Sequence, residues 1–235
     1  MPRVGRKAVG GVVYHVLNRG NGKARLFHKP GDYDAFLRVL AQAKEAVPVR
    51  VLGVCLIPNH WHLLLWPRED GDLSRFMLRA ATTHVRRVLA HRHDRAGGHL
   101  YQGRFKSFPV QDDHHLLTVL RYIEANPLRC RLARTAGGWR WSSCAIRKAD
   151  RDEPPLLDKL PVALPKNWEA IVEHRWPPQE LEAVRQSVKR GRPFGDASWV
   201  AGTAARLGLA FTLRDRGRPR KQRQAAPEDA RMTQK

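Results

Sequence analysis

Val49-Arg50-Val51-Leu52-Gly53-Val54-Cys55-Leu56-Ile57-Pro58-Asn59-His60-Trp61-His62-Leu63-Leu64-Leu65-Trp66 is the stretch that decides the fold. Its first nine residues are apolar but for Arg50 and rich in β-branched types, which reads as a strand. Pro58-Asn59 interrupts the run, and His60 to Trp66 resumes it. Two strands across a two-residue break imply an antiparallel hairpin, although Pro-Asn is not the strongest pair for such a turn. The near-continuous apolar character places this hairpin inside a sheet.

Working outward, Gly11 to Leu17 is a further β-rich run that ends in turn chemistry at Asn18-Arg19-Gly20-Asn21-Gly22. Gly31 to Val47 carries Tyr33, Phe36, Leu37, Leu40 and Ala43 at helical spacing, with Asp32 or Gly31 as its cap. Leu73 to about His93 is a long amphipathic helix. Phe105 to Val110 is a strand, and His114 to Asn126 is a helix opened by Asp112-Asp113 and ended by Pro127. The order strand, helix, strand, strand, helix, strand, helix predicts an α+β sandwich around a central, mostly antiparallel sheet. This unit is expected to span residues 1–147. Residues 148–213 read as a Pro-, Asp- and Lys-rich linker with a small helical extension, its helices at Pro178–Lys189 and Ser198–Leu207. Residues 214–235 read as a basic, disordered tail.

The 235 residues contain 43 Lys and Arg against 22 Asp and Glu, a net charge of +21. Such a chain is drawn to a polyanion, nucleic acid first of all, and charge alone leaves an RNA-binding role open. Cys55, Cys130 and Cys144 form no CxxC pair and give no zinc spacing. An odd count without pattern fits a reducing compartment. No apolar signal core follows the basic N-terminus, and no run approaches the roughly 18 apolar residues of a membrane span. The expected place is the cytoplasm, on the nucleoid, with no membrane partner.

His60 and His62 alternate with Trp61 along a strand, so both imidazoles share one face. Neutral imidazole is the commonest metal ligand. With 11 histidines in the chain, a His-x-His also arises by chance, and the pair alone does not choose. The buried flanks Leu63 to Trp66 favour partnered imidazoles. HExxH is absent, so a site with few protein ligands and open vertices suits phosphodiester chemistry with Mg²⁺ or Mn²⁺ better than zinc hydrolysis.

Tyr122 and Asn126 stand four apart on one helix and face the same way, with His115 close to that line. Leu116, Leu120 and Ile123 form a separate apolar arc. Asn126 can supply a third metal ligand, with Tyr122 one turn away as nucleophile. A tyrosine hydroxyl holds its proton to about pH 10 in water and needs help from a neighbouring cation. The alternative is a core tyrosine and a helix-terminating asparagine. Of the four tyrosines, Tyr101 in its polar, Gly-flanked loop is the competitor.

Several blocks resemble the REP-associated tyrosine transposases, single-tyrosine members of the HUH endonuclease group. They are Tyr14-His15-Val16 with Arg19-Gly20-Asn21, Cys55 through Leu64, Leu73-Ser74-Arg75-Phe76-Met77, Tyr101 through Ser107, Leu120 through Pro127, and Trp141-Ser142-Ser143. They run in order through residues 8–147. The resemblance implies a ferredoxin-like sandwich, His60, His62 and Asn126 as metal ligands, and Tyr122 as the nucleophile that forms a 5′-phosphotyrosine. It implies single-stranded DNA at REP-like hairpins as substrate, with the segment around Tyr14 and His15 reading a guide sequence. Two residues depart from the family pattern: Trp61 is bulkier than the usual small aliphatic, and Tyr101 stands where Trp is common. No small-molecule cofactor is expected. The assembly is a monomer or a homodimer, since related transposases can swap the tyrosine helix. A domesticated hairpin-binding protein without mobilising activity is the alternative.

Arg19, Arg75, Arg79, Arg104 and Lys106 are candidates for lining a path for the DNA backbone. Arg216-Gly217-Arg218-Pro219-Arg220 resembles an AT-hook, whose arginines enter a narrow minor groove; a solvated basic tail is the other reading.

Overall fold

The structure is a computed structural model that describes residues 8–91, 98–149 and 156–214. The first six elements are β1 (Val13–Arg19), α1 (Pro30–Ala46), β2 (Val49–Ile57), β3 (His60–Pro67), α2 (Asp72–His91) and β4 (Lys106–Val110). The sheet runs in the order β2-β3-β1-β4, and every neighbouring pair is antiparallel. Strands β1 and β2 leave helix α1 between them and a gap that β3 fills. Strands β3 and β4 repeat the device around β1. This is the ferredoxin-like split βαβ arrangement. Ile57 pairs with His60 across Pro58-Asn59, so the hairpin is as tight as its sequence implies. Asp32 secures the start of α1 by accepting from the backbone N–H of His28 (2.8 Å) and Lys29 (3.1 Å).

Alternation along the strands divides the core in two. Tyr14, Val16, Val54, Leu56, Trp61, Leu63 and Leu65 face α1 and α2, where they meet Phe36, Leu40, Phe76 and Met77. Val13, Cys55, Ile57, Leu64, Phe108 and Val110 face the other way. There they meet Leu116, Val119, Leu120 and Ile123 of α3 (His114–Glu124). A register shift between Val51 and Gly53 lets Val49, Val51, Val54 and Leu56 all face the first core despite the change of parity. Gly53 lies directly under α3. A Cβ on it would stand 2.6 Å from Leu120 Cδ1, so the bare backbone lets the helix sit close to the sheet.

The helix expected to run through Asn126 stops at Glu124. Ala125 is the link, and Asn126 opens the short α4 (Asn126–Arg129), where Pro127 occupies a first-turn position. Proline there costs no hydrogen bond, so it starts a turn instead of ending one. Strand β1 likewise reaches Arg19, because Asn18 and Arg19 pair with Trp61 and His60.

The remaining elements are α5 (Ser143–Lys148), α6 (Trp168–Glu173), α7 (Pro178–Arg190) and α8 (Ala197–Leu207). Both sheet edges are covered by chain from beyond residue 140. On β2, Leu56 N–H donates to Trp141 O (3.0 Å), and Val51 N–H donates to the Asp158 carboxylate (2.7 Å). On β4, Phe194 N–H donates to Pro109 O (2.9 Å) and Gln111 N–H to Phe194 O (2.9 Å). Covered edges cannot recruit a stray strand. Glu124, fully buried at the end of α3, collects the Ser143 hydroxyl, the Arg147 guanidinium and the Trp168 indole N–H (2.7 Å). One carboxylate thus binds α3, α5 and α6 together. Glu124→Ala strands Arg147 beside a buried void, and is expected to lower unfolding stability by about 3–5 kcal/mol in urea titrations. A loss below about 1 kcal/mol would contradict this role.

Candidate metal and tyrosine site

The site forms where the β3 histidines meet the end of α3. His60 and His62 project toward α3, their ring centroids 5.1 Å apart. Tyr122 stands over them, its ring 6.0 Å from His62 and nearly perpendicular to it. The His-x-His strand and the tyrosine helix, separated by some sixty residues, therefore share one place.

The hydrogen bonds hold both imidazoles, and for His60 they specify which nitrogen is bare. His60 Nδ1 lies 2.7 Å from the Asn59 side-chain oxygen, which can only accept. The Nδ1 therefore carries the proton, and Nε2 keeps its lone pair. His62 Nδ1 lies 2.9 Å from Nε2 of His15, a diagonal neighbour on β1. His62 Nε2 is buried with no partner among the described residues. Burial holds His60 down at about pKa 4, with the charges of Arg19 and Arg129 adding to the effect. Burial, then His15, His60 and Arg129, push His62 well below the usual histidine value. Both rings are neutral at pH 7, the form that binds a metal. Asn126 is buried, and its amide nitrogen donates to Tyr122 O and Ile123 O (both 3.1 Å), satisfying carbonyls that the helix end leaves open. The amide oxygen is the end not spent on the helix. An orphaned imidazole nitrogen, a second bare one and an amide oxygen fit a divalent cation with open coordination positions.

Tyr122 is also held from its outer side. The Arg129 guanidinium lies over its ring at 4.3 Å and donates to Tyr122 O (2.7 Å). Trp176 approaches edge-on at 6.4 Å. Arg121 in turn stacks on Trp176 (4.2 Å) and donates to His174 O (2.9 Å), so the segment between α6 and α7 is pinned against α3.

Other expected site residues fall differently. Tyr101 is removed from the site: it is buried on the α1/α2 side, takes the Trp61 indole N–H (3.1 Å), bonds His84 Nδ1 (2.6 Å), and burial raises its pKa. Tyr14 and His15, expected to read DNA, are 3% and 0% exposed. Tyr14 exchanges hydrogen bonds with the Val9 backbone on the α1/α2 side, while His15 bonds His62. Arg75 and Arg79 sit on α2, across the sheet from Tyr122, and Arg75 is paired with Asp72. That face is the opposite one from the face on which α3 packs. Arg19, by contrast, is the cross-strand partner of His60, and its Nε is buried without a partner among the described residues. Exposed Arg104 and Lys106 lie at the same end of the sheet. Arg216, Arg218 and Arg220 lie outside the described residues.

His115 does not join Tyr122. It bonds Asp113 (2.8 Å) and packs edge-on to Phe194. Asp113, His114 and His115 bring ligand atoms within 4.8 Å of one another, but the Asp113 carboxylate already caps α3. Sequence reasoning missed Asn59, Arg129 and Trp176. Asn59 read only as a turn residue, Arg129 has no distinguishing spacing, and Trp176 lies in a stretch with no assigned element.

Comparison with known proteins gives concordant findings. Residues 8–126 match the family described as "Transposase IS200 like". A REP-associated tyrosine transposase of Haemophilus influenzae is 26% identical over 121 residues, 48% of this chain and 69% of the relative. A solved REP-associated tyrosine transposase bound to a REP hairpin shares the fold, with a TM-score of 0.52 and 17% identity over 68% of this chain and 92% of that one.

The buried His15 gives the site a pH dependence. Its pKa falls to about 3 on burial, against 6.5 in the unfolded chain. Its contribution to stability is complete above pH 6.5 and is lost as pH falls toward 3, amounting to about 2 kcal/mol between pH 7 and pH 5. In EDTA-treated protein, His15→Phe is expected to shrink the stability difference between those two pH values by that amount in urea titrations. An unchanged difference would contradict a buried neutral imidazole.

Proposed function

The chain belongs to the IS200-like transposase family, and on that premise we propose that it cuts and rejoins single-stranded DNA beside REP-like hairpins, with Tyr122 as nucleophile. The observation that carries the reading is the meeting of Tyr122 with His62, whose outward nitrogen is buried and has no partner among the described residues. The named relatives support REP hairpins as the DNA class.

The Tyr122 hydroxyl oxygen bonds to phosphorus as the bond from phosphorus to the 3′ oxygen breaks. The tyrosine proton leaves through water, and the departing 3′ oxygen takes one up. The products are a 5′-phosphotyrosine and a free 3′-hydroxyl. The ester keeps the energy of the original bond, so attack by a 3′-hydroxyl reverses the step without ATP. His60, His62 and Asn126 would hold Mg²⁺ or Mn²⁺, which when bound polarises the phosphate and offsets its developing charge. His15 and Asn59 hold the ring orientations of the two histidines, and Asn59 fixes the tautomer of His60. Arg19, Arg104 and Lys106 guide the backbone toward them.

One chain supplies both the histidines and the tyrosine, so a monomer suffices. Residues 1–147 form the catalytic unit, residues 148–213 brace α3 and the sheet edges, and the tail from 214 adds phosphate contacts.

Incubation with a labelled REP-type hairpin and Mg²⁺ is expected to give a covalent adduct that EDTA prevents and Tyr122→Phe abolishes. Wild-type adduct levels in Tyr122→Phe would overturn the assignment. Tight hairpin binding with no adduct in any metal would instead establish the domesticated binder.

A further inference from the structure

Arg129 is a half-buried cation whose Nη1 is shielded from water. Its Nη2 donates to Tyr122 O, but Nη1 is buried and has no partner among the described residues. It makes no ion pair with a described carboxylate. The titratable groups near it are Tyr122, Cys55 and Cys130, all neutral at pH 7, and the like-charged Arg185 of α7. Arg19, with its own unpartnered Nε, lies beside His60.

Proteins pair or neutralise charges that they bury, because an isolated ion out of water is costly. A cap on the Tyr122 carbonyl would not need a cation, since a neutral amide donates as well. The guanidinium has the fork geometry that suits phosphate, and one of its two ends is still free. It also lies over the ring of the proposed nucleophile. The anion missing from this place is therefore one that the substrate brings.

We infer that Arg129 is a catalytic residue that binds a non-bridging oxygen of the scissile phosphodiester through Nη1. The inference rests on Tyr122 as the attacking group. As the bond from Tyr122 to phosphorus forms and the bond to the 3′ oxygen breaks, negative charge builds on the non-bridging oxygens. Arg129 meets it with a positive charge already held over the ring of Tyr122. It leaves the proton balance of the step unchanged. The same contact holds the 5′-phosphotyrosine in place for rejoining.

The test is single-turnover adduct formation by the full chain on a REP-type hairpin. Wild type, Arg129→Gln and Arg129→Lys are compared on a phosphodiester and on a methylphosphonate at the cleaved position. On the phosphodiester, Arg129→Gln is expected to slow the step by about 100-fold or more. Hairpin affinity should change little, since one phosphate contact among many is lost. On the methylphosphonate, which lacks the oxygen charge, the gap between wild type and variant should narrow to below about 10-fold. Arg129→Lys, which keeps a charge and a donor, carries the same comparison if the Gln variant does not fold. A rate within about 3-fold of wild type, or an equal loss on both substrates, overturns the inference; the second result would mark a merely structural arginine. Absence of adduct from wild type on the phosphodiester overturns the nucleophile assignment and this inference with it. Loss of the adduct in Tyr122→Phe alone separates the two.

Discussion

Everything at the site depends on how closely α3 lies on the sheet. Gly53 removes the side chain that would hold Leu120 away, and Leu116, Val119, Leu120 and Ile123 fill the space against Leu64, Cys55 and Phe108. Glu124 then locks the end of the helix to α5 and α6. With the helix fixed in depth and rotation, Tyr122 has little choice but to face His62. On the proposed reading Tyr122 is the nucleophile, and a nucleophile must be held within a fraction of an ångström of its working position for catalysis to profit from proximity. Here the precision comes from a glycine, a leucine and a buried carboxylate, none of which does chemistry.

The electrostatic character of the site follows from its burial. Three imidazoles, His15, His60 and His62, are all kept neutral by desolvation, and they form a short chain of rings along the α3 side of the sheet. Two arginines stand beside them with unpartnered nitrogens. The protein thus provides neutral imidazoles and excess positive charge, and no carboxylate pairs with Arg129 among the described residues. Such a site is incomplete until an anion enters it. On the proposed reading a phosphodiester brings that charge, which would tie the folding of the site to the class of its substrate.

Much of this was legible in the chain. The apolar run from Val49 to Trp66 announced the hairpin, and the switch from period two to helical spacing located α1, α2 and α3. His60, His62, Tyr122 and Asn126 could be nominated because strand and helix periodicity say which residues share a face. What the sequence could not convey was depth. Tyr14 and His15 sit one apart, yet alternation sends them to opposite cores. Arg75 and Arg79 share the chain's positive charge, but α2 lies across the sheet from the tyrosine. Asn18 and Arg19 look like turn residues and are strand residues, because the pairing with β3 outweighs local preference. The segment beyond residue 155 resembles a tether in composition, and its role appears only when Asp158 and Phe194 reach the sheet edges and Trp176 reaches Tyr122. Arg129 was invisible for the same reason: nothing local distinguishes an arginine that covers a tyrosine ring from one in solvent.

The most direct measurement of the account is the chemical identity of the residue that carries DNA. After reaction with a single-stranded hairpin and nuclease trimming, mass spectrometry of a tryptic digest locates the residual nucleotide. The account predicts a 5′-linked nucleotide on Tyr122, within the peptide from Tyr122 to Arg129. A nucleotide on Tyr14, Tyr33 or Tyr101, or a cleaved strand with no protein attached, would contradict it.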